Sequence, residues 1–137
     1  MSVSVPFGGA SYASTLTYKK PWGRLLHAKG AETAANTATG IDDSASSSYG
    51  GILVYHLFSS DGTVTLKVQD ASTNSDVSFS DLSGATSGSI DASVTPASGM
   101  IAISTTATVR RYLRWQISLG TATTATFALA FIRNTIA

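Results

Sequence analysis

The chain has 137 residues and a mass of 14.1 kDa, room for one domain and not two. Charged residues are only 12% of it, and its polarity comes instead from 21 Ser and 18 Thr; with one Glu, Glu32, and two Gln it lacks the residues that build long helices, so an all-α fold is excluded. The absence of Cys excludes disulfide scaffolds, thiolate metal sites and thiol nucleophiles, and a net charge of +1 argues against a nucleic-acid binder, which would be basic overall.

Residues 1–48 read as an extended N-terminal arm or long loop. No period of 2 or 3.6 persists through Gly8-Gly9, Gly23, Gly30 and Gly40, and Pro6 and Pro21 interrupt regular hydrogen bonding. Tyr12, Leu16, Tyr18, Trp22, Leu25 and Leu26 are too many large apolar groups for a solvated tail, so the arm is expected to pack on something. Within Lys19-Lys20-Pro21-Trp22-Gly23-Arg24 the indole is a natural interface anchor, with packing on its own domain the other reading. Met1-Ser2-Val3 has no basic region of the secretory type and no apolar stretch approaches the ~18 residues of a membrane helix, so neither a signal peptide nor a span is expected. The Ser-rich segment 42–51, ending Gly50-Gly51, reads as a loop into the ordered region.

From there residues 49–137 read as a β-domain. Ile52–Phe58 is a nearly unbroken apolar run, expected as a central strand covered on both faces. Asp61-Gly62 then predicts a tight hairpin into Thr63–Gln69, where Val64, Leu66 and Val68 alternate with polar residues. Short strands are expected near Ser78–Leu82 and Ser89–Val94, and another from Met100 to Ile103. Val109–Leu119 places Leu113, Trp115 and Ile117 on one face and Arg110, Tyr112 and Arg114 on the other; a turn at Gly120–Ala122 leads into Thr124–Arg133, predicting a second hairpin. The fold class expected is all-β: a single antiparallel β-sandwich, jelly-roll-like or immunoglobulin-like, preceded by the arm.

Catalytic chemistry is poorly supplied. His27 and His56 have no paired-His motif beside them, and Gly84-Ala85-Thr86-Ser87-Gly88 only approximates a serine-hydrolase elbow, with Thr at the nucleophile position. Asp42-Asp43 reads as a turn former. Asp70, Asn74 and Asp76 are spaced as oxygen donors but lack the Gly and distal Glu of a calcium loop, so they too read as turn residues. No catalytic residue, cofactor site or metal site is assigned, and an enzyme is not expected.

Charge is instead segregated along the chain: +3 over residues 1–40, −6 over 41–91 and +4 over 92–137. That pattern suits charge-complementary packing between like subunits. The interface candidates are Tyr12, Tyr18, Lys19, Lys20, Trp22 and Arg24 in the arm and Arg110, Tyr112 and Arg114 on the penultimate strand.

At Gly50-Gly51-Ile52 through Gln69-Asp70, and again at Thr108-Val109-Arg110-Arg111-Tyr112-Leu113-Arg114 followed by Ala125–Asn134, the chain resembles tailed-bacteriophage virion proteins. The family pattern is Gly-Gly, then Val-x-Val-x-Val-Gln-Asp/His-Ser, Asp-Leu, Arg-Tyr-Val/Leu-Arg and Thr-Phe-Ala-Val-Ala-Phe-x-Arg; the similarity covers roughly residues 45–135 and leaves the arm unplaced. The resemblance implies a β-sandwich of the kind found in capsid decoration (cement) proteins and tail proteins. A single sandwich with an arm looks like a cement protein, made in the host cytoplasm and bound to the outer capsid surface. Its partners would be the major capsid protein and itself, as a dimer or trimer, with no nucleic acid, membrane or small-molecule substrate. The alternatives are a tail-tube subunit forming stacked rings and a carbohydrate-binding module of a tail tip, with Trp115 or Trp22 as its platform.

Overall fold

The computed structural model describes residues 23–135. Eight strands follow in order: β1 (Gly23–Glu32), β2 (Ile41–Asp42), β3 (Gly51–Ser60), β4 (Thr63–Ala71), β5 (Ser80–Asp91), β6 (Ala97–Ala102), β7 (Tyr112–Leu119) and β8 (Ala125–Arg133), with one 3₁₀ turn at Asp76–Ser78. They form two four-stranded antiparallel sheets, β1-β8-β3-β6 and β2-β7-β4-β5, packed face to face as a β-sandwich. The expected all-β sandwich is what the chain forms.

The core follows from alternation. Leu53 and Leu57 of β3, Phe127, Leu129 and Phe131 of β8, Val64, Leu66 and Val68 of β4 and Leu113 and Ile117 of β7 point inward and are almost fully buried. Each such side chain contributes about 1.5–3 kcal/mol relative to exposure. Trp115 joins them edge-on to Phe127, with ring centroids 5.7 Å apart.

Four features differ from the sequence reading. First, residues 23–32, expected as arm, form edge strand β1 on β8. Its register slips between Leu25 and His27 and again between His27 and Gly30, and each slip inverts the side-chain parity, which hides the period of 2. Second, neither expected hairpin is one. β3 pairs with β8 and β6 while β4 pairs with β5 and β7, so Asp61-Gly62 carries the chain from one sheet to the other, and the turn between β7 and β8 does the same. Turn chemistry fixes a reversal of direction, whereas the choice of partner depends on which apolar faces meet across the core. Third, the two short strands expected between 78 and 94 are one strand, β5, whose register against β4 slips around Gly84 (φ 82°) and Gly88 (φ 67°). Fourth, β7 begins at Tyr112 rather than Val109, because the Arg110 amide is taken by the Asp70 carboxylate (2.8 Å) and Val109 bridges only to Ser47.

The two inter-sheet turns are tied together. The Asp61 carboxylate accepts hydrogen bonds from the Thr123 hydroxyl and from the amides of Thr123 (2.8 Å) and Thr124 (3.1 Å). Beside it the Thr63 amide donates to Thr121 Oγ1 (2.8 Å), and the Gly120 amide donates to the Thr63 carbonyl (3.0 Å). The Thr123 and Thr124 bonds to its charged form hold Asp61 at about 2, below the usual carboxylate range.

Candidate interaction surface

The two outer faces of the sandwich differ in chemistry. On the β2-β7-β4-β5 sheet, Thr63, Thr65, Lys67 and Gln69 of β4 lie beside Arg114, Gln116 and Ser118 of β7, a polar face. Part of it is covered by residues 36–40: Asn36 exchanges hydrogen bonds with Gln116 (2.8 and 3.2 Å), and Arg114 Nη1 donates to the Ala38 carbonyl (2.8 Å).

The arginines of this region are internal struts. Arg114, expected on an outward face, is buried; besides Ala38 it reaches Asp76 (2.6 Å) and Gln69 (2.8 Å), and its guanidinium lies 4.5 Å from the Phe79 ring centroid. Arg110 Nη2 donates to the side chain and carbonyl of Asp70 (2.8 and 2.6 Å). Arg111 makes a bidentate pair with Asp42 (2.7 and 2.8 Å), which holds that carboxyl at about 2. Tyr112 is half-buried, with Arg111 5.2 Å from its ring centroid. Arg24 of β1, half-exposed, pairs with Asp43 (2.7 Å). Lys67 pairs with Asp81 (3.1 Å).

The opposite charges that the sequence segregates therefore meet within one chain. Asp42, Asp43, Asp70, Asp76 and Asp81 all pair with cations of that chain, while Asp61 and Asp91 accept from turn amides. The oxygen set Asp70, Asn74 and Asp76 does not converge on a cation: its members hold Arg110, the backbone of Gly40 and Arg114 respectively. Tyr12, Tyr18, Lys19, Lys20 and Trp22 lie outside the described residues.

The histidines are also placed by packing. His27 is buried, stacked on Phe127 with centroids 4.0 Å apart, with Nδ1 2.9 Å from the Phe127 carbonyl and Nε2 2.9 Å from Glu32 Oε1. His56 is exposed and stacks on Phe58 at 4.1 Å.

The outer face of the β1-β8-β3-β6 sheet is of the other kind. Antiparallel pairing aligns Leu25, Ala130, Val54 and Met100 in one row across all four strands. Ile132, Ile52 and Ala102 make a second row, and Ala128 and His56 with Ser98 a third. Leu25 is 58% and Met100 67% exposed, while Ala128 and Ala130 leave a shallow groove of about 330 Å³ between them. His56 is among its lining residues, and nearby the Lys29 ammonium lies over the Phe58 ring, 4.6 Å from the centroid. Antiparallel sandwiches usually turn a polar face to water, so an apolar outer face of this kind is a candidate interaction surface.

Sequence reasoning missed this face because it read Ile52–Phe58 as covered on both sides. In the structure Leu53, Tyr55 and Leu57 are buried, but Ile52, Val54 and Phe58 are only half-buried. The signal was present in a second strand as well, where the segment Phe127–Ile132 is also apolar at both parities.

No protein-family model matches the chain, and no curated protein matches it at a significant level.

Proposed function

We propose that the chain is a non-enzymatic structural protein of a tailed-phage virion, a capsid decoration (cement) protein that binds the outer capsid surface and stabilises contacts between major capsid protein subunits. The observation that carries this reading is the apolar outer face of the β1-β8-β3-β6 sheet, centred on Leu25, Ala130, Val54 and Met100. The resemblance of residues 45–135 to phage virion sandwiches supplies the setting.

The fold's chemistry supports binding over turnover. The carboxylates and guanidiniums of the described residues are engaged in ion pairs and turn caps, so apolar area carries the contact and the charges hold the loops. β1, which begins at Gly23, is an edge of this same sheet, and we read Tyr12, Tyr18 and Trp22, which precede it in the sequence, as further contacts. Many copies on a lattice turn weak contacts into firm attachment by avidity.

The test is co-sedimentation of the full chain with capsids of the phage that encodes it. Val54→Lys places a charge in the middle of the apolar row and is expected to weaken binding at least about tenfold. Ser118→Lys, exposed on the polar face of the other sheet, leaves binding unchanged. Equal binding by the wild type and Val54→Lys would contradict the reading.

A further inference from the structure

The sandwich has four sheet edges, and three are closed to pairing by familiar means. β1 carries Arg24, Lys29 and Glu32 and two register slips. β5 carries Asp81 and Asp91 and its own slips at Gly84 and Gly88. β2 is two residues long. The fourth edge, β6, is Ala97-Ser98-Gly99-Met100-Ile101-Ala102, with no charge, no proline and an unbroken register against β3.

The phase of its hydrogen bonds can be read from its neighbours. The Ile103 amide donates to the Gly51 carbonyl (2.7 Å), so the pairs Leu53–Ile101, Tyr55–Gly99 and Leu57–Ala97 are the hydrogen-bonded ones. The Asn134 amide donates to the Gly50 carbonyl (3.1 Å), which turns the even-numbered residues of β3 toward β8 and agrees with that phase. The N–H and C=O groups of Ser98, Met100 and Ala102 therefore point away from β3, and among the described residues no strand pairs with them. All three residues are exposed.

We infer that this edge is a homodimer interface in which β6 pairs antiparallel with β6 of a second copy, about a two-fold axis through Met100. In that register Met100 exchanges both hydrogen bonds with its counterpart, and Ser98 and Ala102 do so with the second copy's Ala102 and Ser98. A second copy fits because the interface is isologous: every position meets an uncharged one, whereas self-pairing along β1 or β5 would bring ionised side chains into the new ladder. The two sheets become one of eight strands. The row Leu25–Ala130–Val54–Met100 runs on through the second copy's Met100, which doubles the apolar face without covering it. Pairing through β6 requires no virion role.

The full chain is expected to sediment as a dimer, twice 14.1 kDa, at concentrations where Met100→Lys sediments as a monomer. Like charges brought together at the axis raise the dissociation constant at least about tenfold. Ser118→Lys leaves the dimer intact, and circular dichroism shows Met100→Lys folded, since residue 100 points to solvent. The chain has no Cys, so Met100→Cys carries a single thiol, and a short bis-maleimide joins two copies through it while failing to join Ser118→Cys copies. A wild type that stays monomeric, because residues 1–22 of the same chain pair with this edge or for any other reason, would overturn the inference. So would a dimer that Met100→Lys leaves unchanged or that Met100→Cys fails to cross-link.

Discussion

Arg133, at the end of the last strand, and Asp43, in the loop after β2, form a buried ion pair (Nε–Oδ2 2.7 Å) that ties that strand to that loop. The Arg133 side chain is 7% exposed and that of Asp43 10%. Besides Asp43, the guanidinium reaches Ser47 Oγ (2.9 Å), the Arg110 carbonyl (2.7 Å) and the Val109 carbonyl. One side chain thereby satisfies groups from two loops that have no continuous ladder of their own. Arg24 holds the other oxygen of Asp43 from β1.

Removing the carboxylate should therefore cost far more than removing its exposed partner. Asp43→Ala leaves the buried Arg133 without its counter-charge and is expected to lower stability by about 3–5 kcal/mol. Arg24→Ala, which removes a half-exposed cation, costs no more than about 1 kcal/mol. Urea unfolding with an unchanged m-value checks both.

Two glycines share a left-handed backbone and differ in surroundings. A Cβ at Gly50 (φ 67°) would fall 2.1 Å from the Ser104 carbonyl oxygen, whereas at Gly88 (φ 67°) it would meet nothing within 4 Å. Gly88→Ala is expected to cost only the conformational strain, about 1–2 kcal/mol. Gly50→Ala must also displace the backbone of 103–104, and its thermal midpoint should fall well below that of Gly88→Ala.

Acid should loosen the tied turns. The Asp61 carboxyl sits at about 2 in the folded chain against an ordinary 3.8, chiefly because Thr123 and Thr124 donate to its ionised form. A depressed folded value means stability that is fully present above about pH 4 and is lost as pH falls from there through 2. Asp42, held at about 2 by Arg111, adds to the same window. Stability measured from pH 6 to pH 2 should fall for the wild type and fall less steeply for Asp61→Asn.

The β-sandwich and most of its later strands were legible because Val64, Leu66 and Val68 and then Phe127, Leu129 and Phe131 alternate without interruption against an inward face. β1 was not legible, since its two register slips move Leu25 outward and both Leu26 and His27 inward, so that no local pattern survives. Which strands pair was hidden for another reason: Asp61-Gly62 specifies a tight turn, but its stabilising contacts come from Thr121, Thr123 and Thr124, about sixty residues away. Arg114 looked outward by parity and is outward, yet Ala38, Asp76 and Phe79 cover it, and nothing local to residue 114 announces that cover. The apolar face was written in consecutive apolar residues of β3 and β8; it takes the sheet order to show that these lie side by side with nothing among the described residues upon them.

Cryo-electron microscopy of the virion would show whether the apolar face of the β1-β8-β3-β6 sheet is the contact surface of a capsid-bound structural protein. Density for the sandwich is expected on the outer head lattice, with Leu25, Val54 and Met100 turned toward the capsid subunits and the Gln69, Gln116 and Ser118 face toward solvent. Density in rings along the tail, or a sandwich seated on the head through that polar face, would contradict it.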